Sequence, residues 1–349
     1  MNKELLGKGA YGQVLIKNGN ACKKFKYLSH LIQEYTALNY LRDCQNVVNI
    51  KGVSFEDLEL YMDLYDCNLR EWLIKYKNPT DIMKIIHDIL LGLIELHDRS
   101  MAHGDLKPTN ILIKLNPLKA VLGDCGFSSI AKYSKVDRTA PLYQEQDITF
   151  ASTHDMYSLG ICLIELLCNF KIKQKPTYHQ LKIITEEKIS NNDHRKIIAN
   201  LVNEDKSKRY TSRELFSLLF NESPKKWIKR DVLGGVSISE ENRNFIKKLF
   251  SHTCHEFNIH RGFRGYKALL IYLDNHRIDP KEYKLYIGVT LMILSSLFGE
   301  SGFREDAIIE LCPNKYNKND IYKVLKNILS NDLFVNGILC PPKDSNVIE

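Results

Sequence analysis

The string Leu6-Gly7-Lys8-Gly9-Ala10-Tyr11-Gly12-Gln13-Val14 leads directly into a hairpin signal, and this order restricts the fold of the 349-residue chain more than any other feature. Glycines without a Cβ let backbone amides come close to phosphate oxygens. After them, Val14-Leu15-Ile16-Lys17 and Asn20-Ala21-Cys22-Lys23 flank Asn18-Gly19, a pair suited to the primed turns that join antiparallel strands. A dinucleotide-binding unit needs a helix at that point. The chain is therefore expected to begin as an antiparallel sheet with its glycine loop at one end.

A second motif lies about a hundred residues further on. His103-Gly104-Asp105-Leu106-Lys107-Pro108-Thr109-Asn110 is followed, after a hairpin-like stretch, by Asp124-Cys125-Gly126. Asp and Asn in such a run can simply cap a turn. Their combination with the glycine string supports a chemical role. Transfer of a phosphoryl group asks the protein to hold the nucleotide, neutralise its charge and orient the attacking hydroxyl. Asp105 can take or orient the hydroxyl proton, Lys107 can face the transferred phosphate, and Asn110 and Asp124 supply hard oxygen ligands for metal ions.

On these residues the chain resembles the eukaryotic-type serine/threonine protein kinase family over about residues 1 to 220, with Lys107-Pro108 after Asp105 pointing to that branch. The resemblance implies an α+β, bilobal fold with a small β-rich N-lobe and a helical C-lobe, and it implies ATP and Mg2+ as cofactors. It makes Lys23 the ligand of the α- and β-phosphates and Glu34 its helical ion-pair partner. Lys24 is the rival of Lys23, but strand alternation turns it to the other face, and the Ala21-Cys22-Lys23 context favours Lys23. Gly7, Lys8, Gly9, Gly12, Val14 and Ala21 would line the nucleotide. Met62 would be the gatekeeper, and the backbone from Asp63 to Tyr65 would bond the adenine edge, although that stretch also reads as a plain buried strand. Asp155 would anchor the catalytic loop. Glu145 and Arg209 would form a buried structural pair.

The departures matter too. Gly104 stands where many family members carry an arginine that grips a phosphorylated loop, so regulation by loop phosphorylation loses its receptor. Cys125 stands where phenylalanine is usual. Thr139 is the candidate for the threonine that steadies Asp105 and Lys107, and Ser134 and Thr139 are candidate modification sites. Because lysine, glutamate, base and both metal ligands are present, an active enzyme acting on protein substrates is expected. The alternatives are a pseudokinase scaffold that binds nucleotide without useful turnover, and a kinase of a non-protein substrate.

The expected domains are an N-lobe with hinge (1–66), a C-lobe (67–222), a linker (223–238) and a C-terminal all-α domain (239–349). Breaks at Asn221-Glu222-Ser223-Pro224 and Gly234-Gly235 mark the linker. Beyond it, apolar residues recur with helical period at Phe245, Ile246, Leu249 and Phe250; Tyr266, Leu269, Leu270 and Leu273; Leu285 to Leu297; Ile308 and Ile309; and Ile321 to Leu329. That is about five helices. The segments 268–274, 285–296 and 316–321 resemble a single cyclin box, which would make this domain a regulator in cis. An unrelated helical bundle, covering the C-lobe or binding a regulatory partner, is the other reading.

Composition excludes several classes. A net charge of +7 without a concentrated basic groove argues against nucleic acid. Nine cysteines without paired metal spacing fit a reducing, intracellular setting, cytoplasmic or nuclear, and His252-Thr253-Cys254-His255 lacks a second zinc-ligand pair. No apolar run reaches about 18 residues, and the glycine loop follows the first methionine too closely for a leader, so neither membrane insertion nor secretion is expected.

Overall fold

The computed structural model describes residues 5–9, 12–76, 78–125, 129–130, 143, 152–168, 171–227, 238–259, 262–298, 303–312 and 315–339. Contacts divide the chain into two compact units. One comprises Met1–Tyr40, Ile50–Tyr61 and Arg230–Glu349, and the other Leu41–Asn49 and Met62–Lys229.

The first unit opens with the sheet that the glycine string and hairpin signal predict. Strands β1 (Leu5–Gly9), β2 (Gly12–Lys17) and β3 (Asn20–Phe25) pair antiparallel in sequence, with Lys23 opposite Val14. Asn18 and Gly19 both take positive φ, 53° and 74°, the condition for a primed turn. Helix α1 (Leu28–Tyr40) follows, then β4 (Ile50–Ser54) and β5 (Glu59–Met62), giving the sheet order β1-β2-β3-β5-β4.

Gly12 sits where a side chain has no room: a Cβ there would lie 2.0 Å from the Lys24 carbonyl oxygen on β3. The obstruction is backbone in a paired ladder, so it cannot swing aside. Gly12→Ala is expected to cost about 1–3 kcal/mol of stability, read as a lower midpoint in chemical denaturation. An unchanged midpoint would mean that the two strands part more easily than this register implies.

The second unit continues with β6 (Cys67–Asn68) and α2 (Leu69–Lys75), which starts from a capping box between Asn68 and Glu71. Helix α3 (Pro79–Asp98) starts at Asn78 and buries Ile82, Ile85, Ile86, Ile89, Leu93 and Leu96, a 3.6-residue stripe. Next come β7 (Met101–Ala102), β8 (Ile111–Leu115), β9 (Leu118–Leu122) and β10 (Ser129–Ile130). β6, β8 and β9 form one small sheet, and β7 pairs with β10.

Helix α4 (Ser152–Cys168) buries every residue from His154 to Leu166, so it is the pillar of this unit. Around it stand α5 (Tyr178–Lys188), α6 (Asn192–Leu201) and α7 (Ser212–Phe220). Asp98 at the end of α3 accepts from Arg213 Nε (2.9 Å) and from the Trp227 amide (3.0 Å), pinning the chain as it leaves this unit.

Six further helices are described beyond the second unit, and they fold with the first unit: α8 (Glu240–Glu256), α9 (Gly262–Asn275), α10 (Tyr283–Phe298), α11 (Glu305–Leu311), α12 (Lys318–Leu329) and α13 (Asp332–Leu339). The short α13, which the apolar period does not single out, packs against α9 and α1. Helix α10 is buried without a break from Leu285 to Ser296 and touches α1, α8, α9, α11 and α12, as an axial helix must. No described helix is long and apolar enough to cross a membrane.

Candidate active site

The candidate residues fall into two constellations, one in each unit. In the first, Gly7 and Gly9 lie on β1, Gly12 and Val14 on β2, and Ala21 and Lys23 on β3. Lys8 is also on β1. Lys23 Nζ donates to Glu34 Oε2 of α1 at 2.5 Å, and Glu34 is 1% exposed. A carboxylate this deeply buried needs a cationic partner. Lys24 is exposed, as alternation along β3 predicts. The Lys23 ammonium, aligned by Glu34, is a suitable anchor for nucleotide phosphates.

The second constellation starts from a backbone dictated by a buried carboxylate. Asp155, wholly buried on α4, accepts from the amides of His103 (2.7 Å, Oδ2) and Gly104 (2.9 Å, Oδ1) and from His97 Nε2 of α3 (2.9 Å, Oδ2). Burial alone would raise its pKa. The His97 bond, nearby imidazole charge and the Gly104 N–H together hold it below the ordinary value. Because His97 Nε2 must donate to the carboxylate, Nδ1 is left to meet Ser212 Oγ at 3.0 Å. Gly104 has φ of 78°, a left-handed conformation that glycine takes without strain.

That fixed turn presents the catalytic candidates. Asp105 Oδ2 accepts from Lys107 Nζ (2.6 Å) and Asn110 Nδ2 (2.9 Å), and the same amide group reaches the Asp105 carbonyl (2.9 Å). Asn110 closes a single 3-10 turn, Pro108–Asn110, and its carbonyl receives the Gly123 amide at 2.8 Å. His103 Nε2 lies 3.0 Å from the Gly123 carbonyl. These bonds tie the Asp105 loop to the residue before Asp124, whose φ is 56°. With its amide nitrogen turned to Asp105, Asn110 has its hard oxygen left as a ligand atom, matched in chemistry to the Asp124 carboxylate. No described cluster of three or more His, Cys, Asp or Glu could hold an ion alone, so a Mg2+ here would need phosphate oxygens as further ligands. The donor set suits that arrangement.

Met62 ends β5, buried, with Asp63 and Tyr65 just beyond, and the Asp63 amide donates to the Asn49 carbonyl at 3.1 Å. Burial and the Asp63 charge push the Tyr65 phenol up to about 12. Gly126, Ser134, Thr139 and Glu145 lie outside the described residues. Arg209 is buried and donates to the carbonyls of Asn203 (2.8 Å) and Thr153 (3.0 Å).

A family model, the protein kinase domain, matches residues 1–256. The chain belongs to the protein kinase family. Among the curated relatives of this kinase, the Arabidopsis thaliana L-type lectin-domain containing receptor kinase V.5 is 29% identical over 206 residues, 50% of this chain and 31% of its own. Serine/threonine-protein kinase SBK1 of Danio rerio is 29% identical over 180 residues, 45% of each chain. Serine/threonine-protein kinase ksp1 of Schizosaccharomyces pombe is 30% identical over 199 residues, covering 46% of this kinase and 42% of the relative. This kinase spans less than half the length of each of these relatives.

Sequence reasoning missed two groups. One is His97, the third partner of Asp155. The other is Arg70 on α2, which donates to Glu165 Oε2 of α4 (2.5 Å) and to the Tyr143 hydroxyl (2.9 Å), while that hydroxyl donates to Glu165 at 2.9 Å. Ser158 Oγ holds the Tyr143 carbonyl at 2.8 Å. This knot ties Tyr143 to α2 and α4.

Proposed function

We propose that this kinase transfers the terminal phosphate of ATP, with Mg2+, to serine or threonine hydroxyls of protein substrates. The observation that carries the reading is the Asp105 carboxylate, buried yet aligned by Lys107 and Asn110 on a loop that Asp155 holds rigid. A preorganised carboxylate of this kind orients a hydroxyl and takes its proton. Lys107 steadies charge on the phosphate in flight, Lys23 anchors the phosphates that remain, and Asn110 and Asp124 hold the metal. Mg2+ supplies charge neutralisation and alignment of the phosphate chain. Gly7, Gly9 and Gly12 give backbone access to phosphate, and Met62 with the Asp63–Tyr65 backbone receives the adenine. The Lys107-Pro108 context and the names of the two serine/threonine-protein kinase relatives support serine and threonine as acceptors. The C-terminal helices, cyclin-like in their apolar pattern, form the regulatory part of the same polypeptide.

The test is transfer of labelled terminal phosphate from ATP to a mixed Ser/Thr and Tyr peptide panel by the full chain. Label on Ser/Thr peptides, abolished by chelating Mg2+ and restored by adding it back, is the expected outcome. Nucleotide binding without transfer would favour a scaffold, and label on lipid or small-molecule acceptors alone would change the substrate class.

A further inference from the structure

Helix α1 carries Glu34, yet beyond its first turn it has no solvent face: from Leu31 to Tyr40 every residue is buried except Gln33 and Asn39, which are half-buried. A helix packed on a sheet alone leaves one side in water, so burial all round requires a second partner. That partner is the C-terminal helical region, through α10 and α13. The two half-buried residues show how it is joined. Gln33 Nε2 donates to the Ser296 carbonyl at 2.6 Å, and Asn39 Nδ2 donates to the Leu329 carbonyl at 2.7 Å. Ser296 lies in the last turn of α10, and Leu329 is the last residue of α12. Carbonyls there have no partner within their own helix, and they lie at the negative end of its dipole. The α1 amides therefore cap two helices of the C-terminal region. Tyr35 OH adds a contact to Ser330 Oγ at 3.4 Å.

The angular placement gives these caps a role. At about 100° per residue, Gln33 stands about 100° to one side of Glu34, while Tyr35 and Asn39 stand about 100° and 140° to the other. Bonds on opposite sides resist rolling of the helix in either sense. Rolling would carry the Glu34 carboxylate away from Lys23. We propose that Gln33 and Asn39, assisted by Tyr35, are positioning residues for nucleotide binding: by capping α10 and α12 they fix the roll of α1, so the C-terminal helices set the affinity for MgATP through Glu34 and Lys23. The proposal rests on reading Lys23 as the phosphate anchor.

The experiment measures MgATP dissociation constants at equilibrium for the full chain, the Gln33→Ala/Asn39→Ala chain, the Glu34→Ala chain and the chain carrying all three changes, with hydrogen exchange followed across α1. Loss of two hydrogen bonds should weaken MgATP binding about tenfold when Glu34 is present, with faster exchange over 31–40. With Glu34 absent, the pair should change affinity by less than about twofold, because the route of its effect is gone. A merely structural role would weaken binding equally in both backgrounds, and that result overturns the proposal, as does unchanged affinity in the first. If the pair does not fold, the single Gln33→Ala and Asn39→Ala chains serve in its place, each with about a threefold effect. Failure of the unaltered chain to bind MgATP would overturn the phosphate-site reading and this proposal together; normal binding with unaffected variants overturns this proposal alone.

Discussion

Asp105→Asn is expected to lower kcat by about 10²–10⁴-fold while leaving MgATP affinity within about threefold of the parent. The asparagine amide fits the same space and can still offer an oxygen to Lys107 Nζ and Asn110 Nδ2, which now lie 2.6 and 2.9 Å from the carboxylate. The loop should therefore keep its shape. What disappears is the negative charge that orients the attacking hydroxyl and takes its proton. Phosphate anchoring by Lys23 does not pass through this group, so nucleotide affinity is the internal control. Equal fractional losses of kcat and kcat/KM would place the effect in the transition state. A variant as active as the parent would show that Asp105 is not the base, and one that loses MgATP binding as well would show a structural role.

Much of this arrangement was legible in the sequence because it is local. The Asn18-Gly19 turn follows from two adjacent residues; strand alternation separates Lys23 from Lys24, and the Ala21-Cys22-Lys23 pattern favours the first. The cluster of Asp105, Lys107 and Asn110 spans six positions, within reach of a single loop and one 3-10 turn. Illegible parts depend on distant or anonymous partners. His97 reaches Asp155 across 58 positions, and Arg70 reaches Glu165 across 95, with no periodic signal to announce either pair. Docking of the C-terminal helices on α1 is harder still to foresee, because Gln33 and Asn39 bond backbone carbonyls, which every residue carries. Apolar period revealed those helices without revealing what they cover. Helical burial against the sheet-bearing unit, rather than an isolated bundle, is what the structure adds.

Asp155→Asn should be almost as damaging as Asp155→Ala, and that near equality separates a three-way acceptor from a mere space-filler. Oδ2 accepts from the His103 amide and His97 Nε2, and Oδ1 accepts from the Gly104 amide. An asparagine offers one acceptor oxygen; its NH2 group must face a buried N–H whichever way the amide turns. Removing one partner from a fully buried charged network costs about 3–5 kcal/mol. At about 2–4 °C per kcal/mol for a unit of this size, Tm should fall by roughly 6–20 °C, read by calorimetry. The pH dependence fixes the sign. The folded-state pKa of Asp155 is lowered, so its stabilisation is present above the unfolded value of about 4 and is lost as pH falls through the folded one. The parent should lose stability below about pH 4 more steeply than Asp155→Asn, which has no carboxyl to protonate there. Parallel acid limbs would show that the carboxylate charge adds nothing to holding the Asp105 loop.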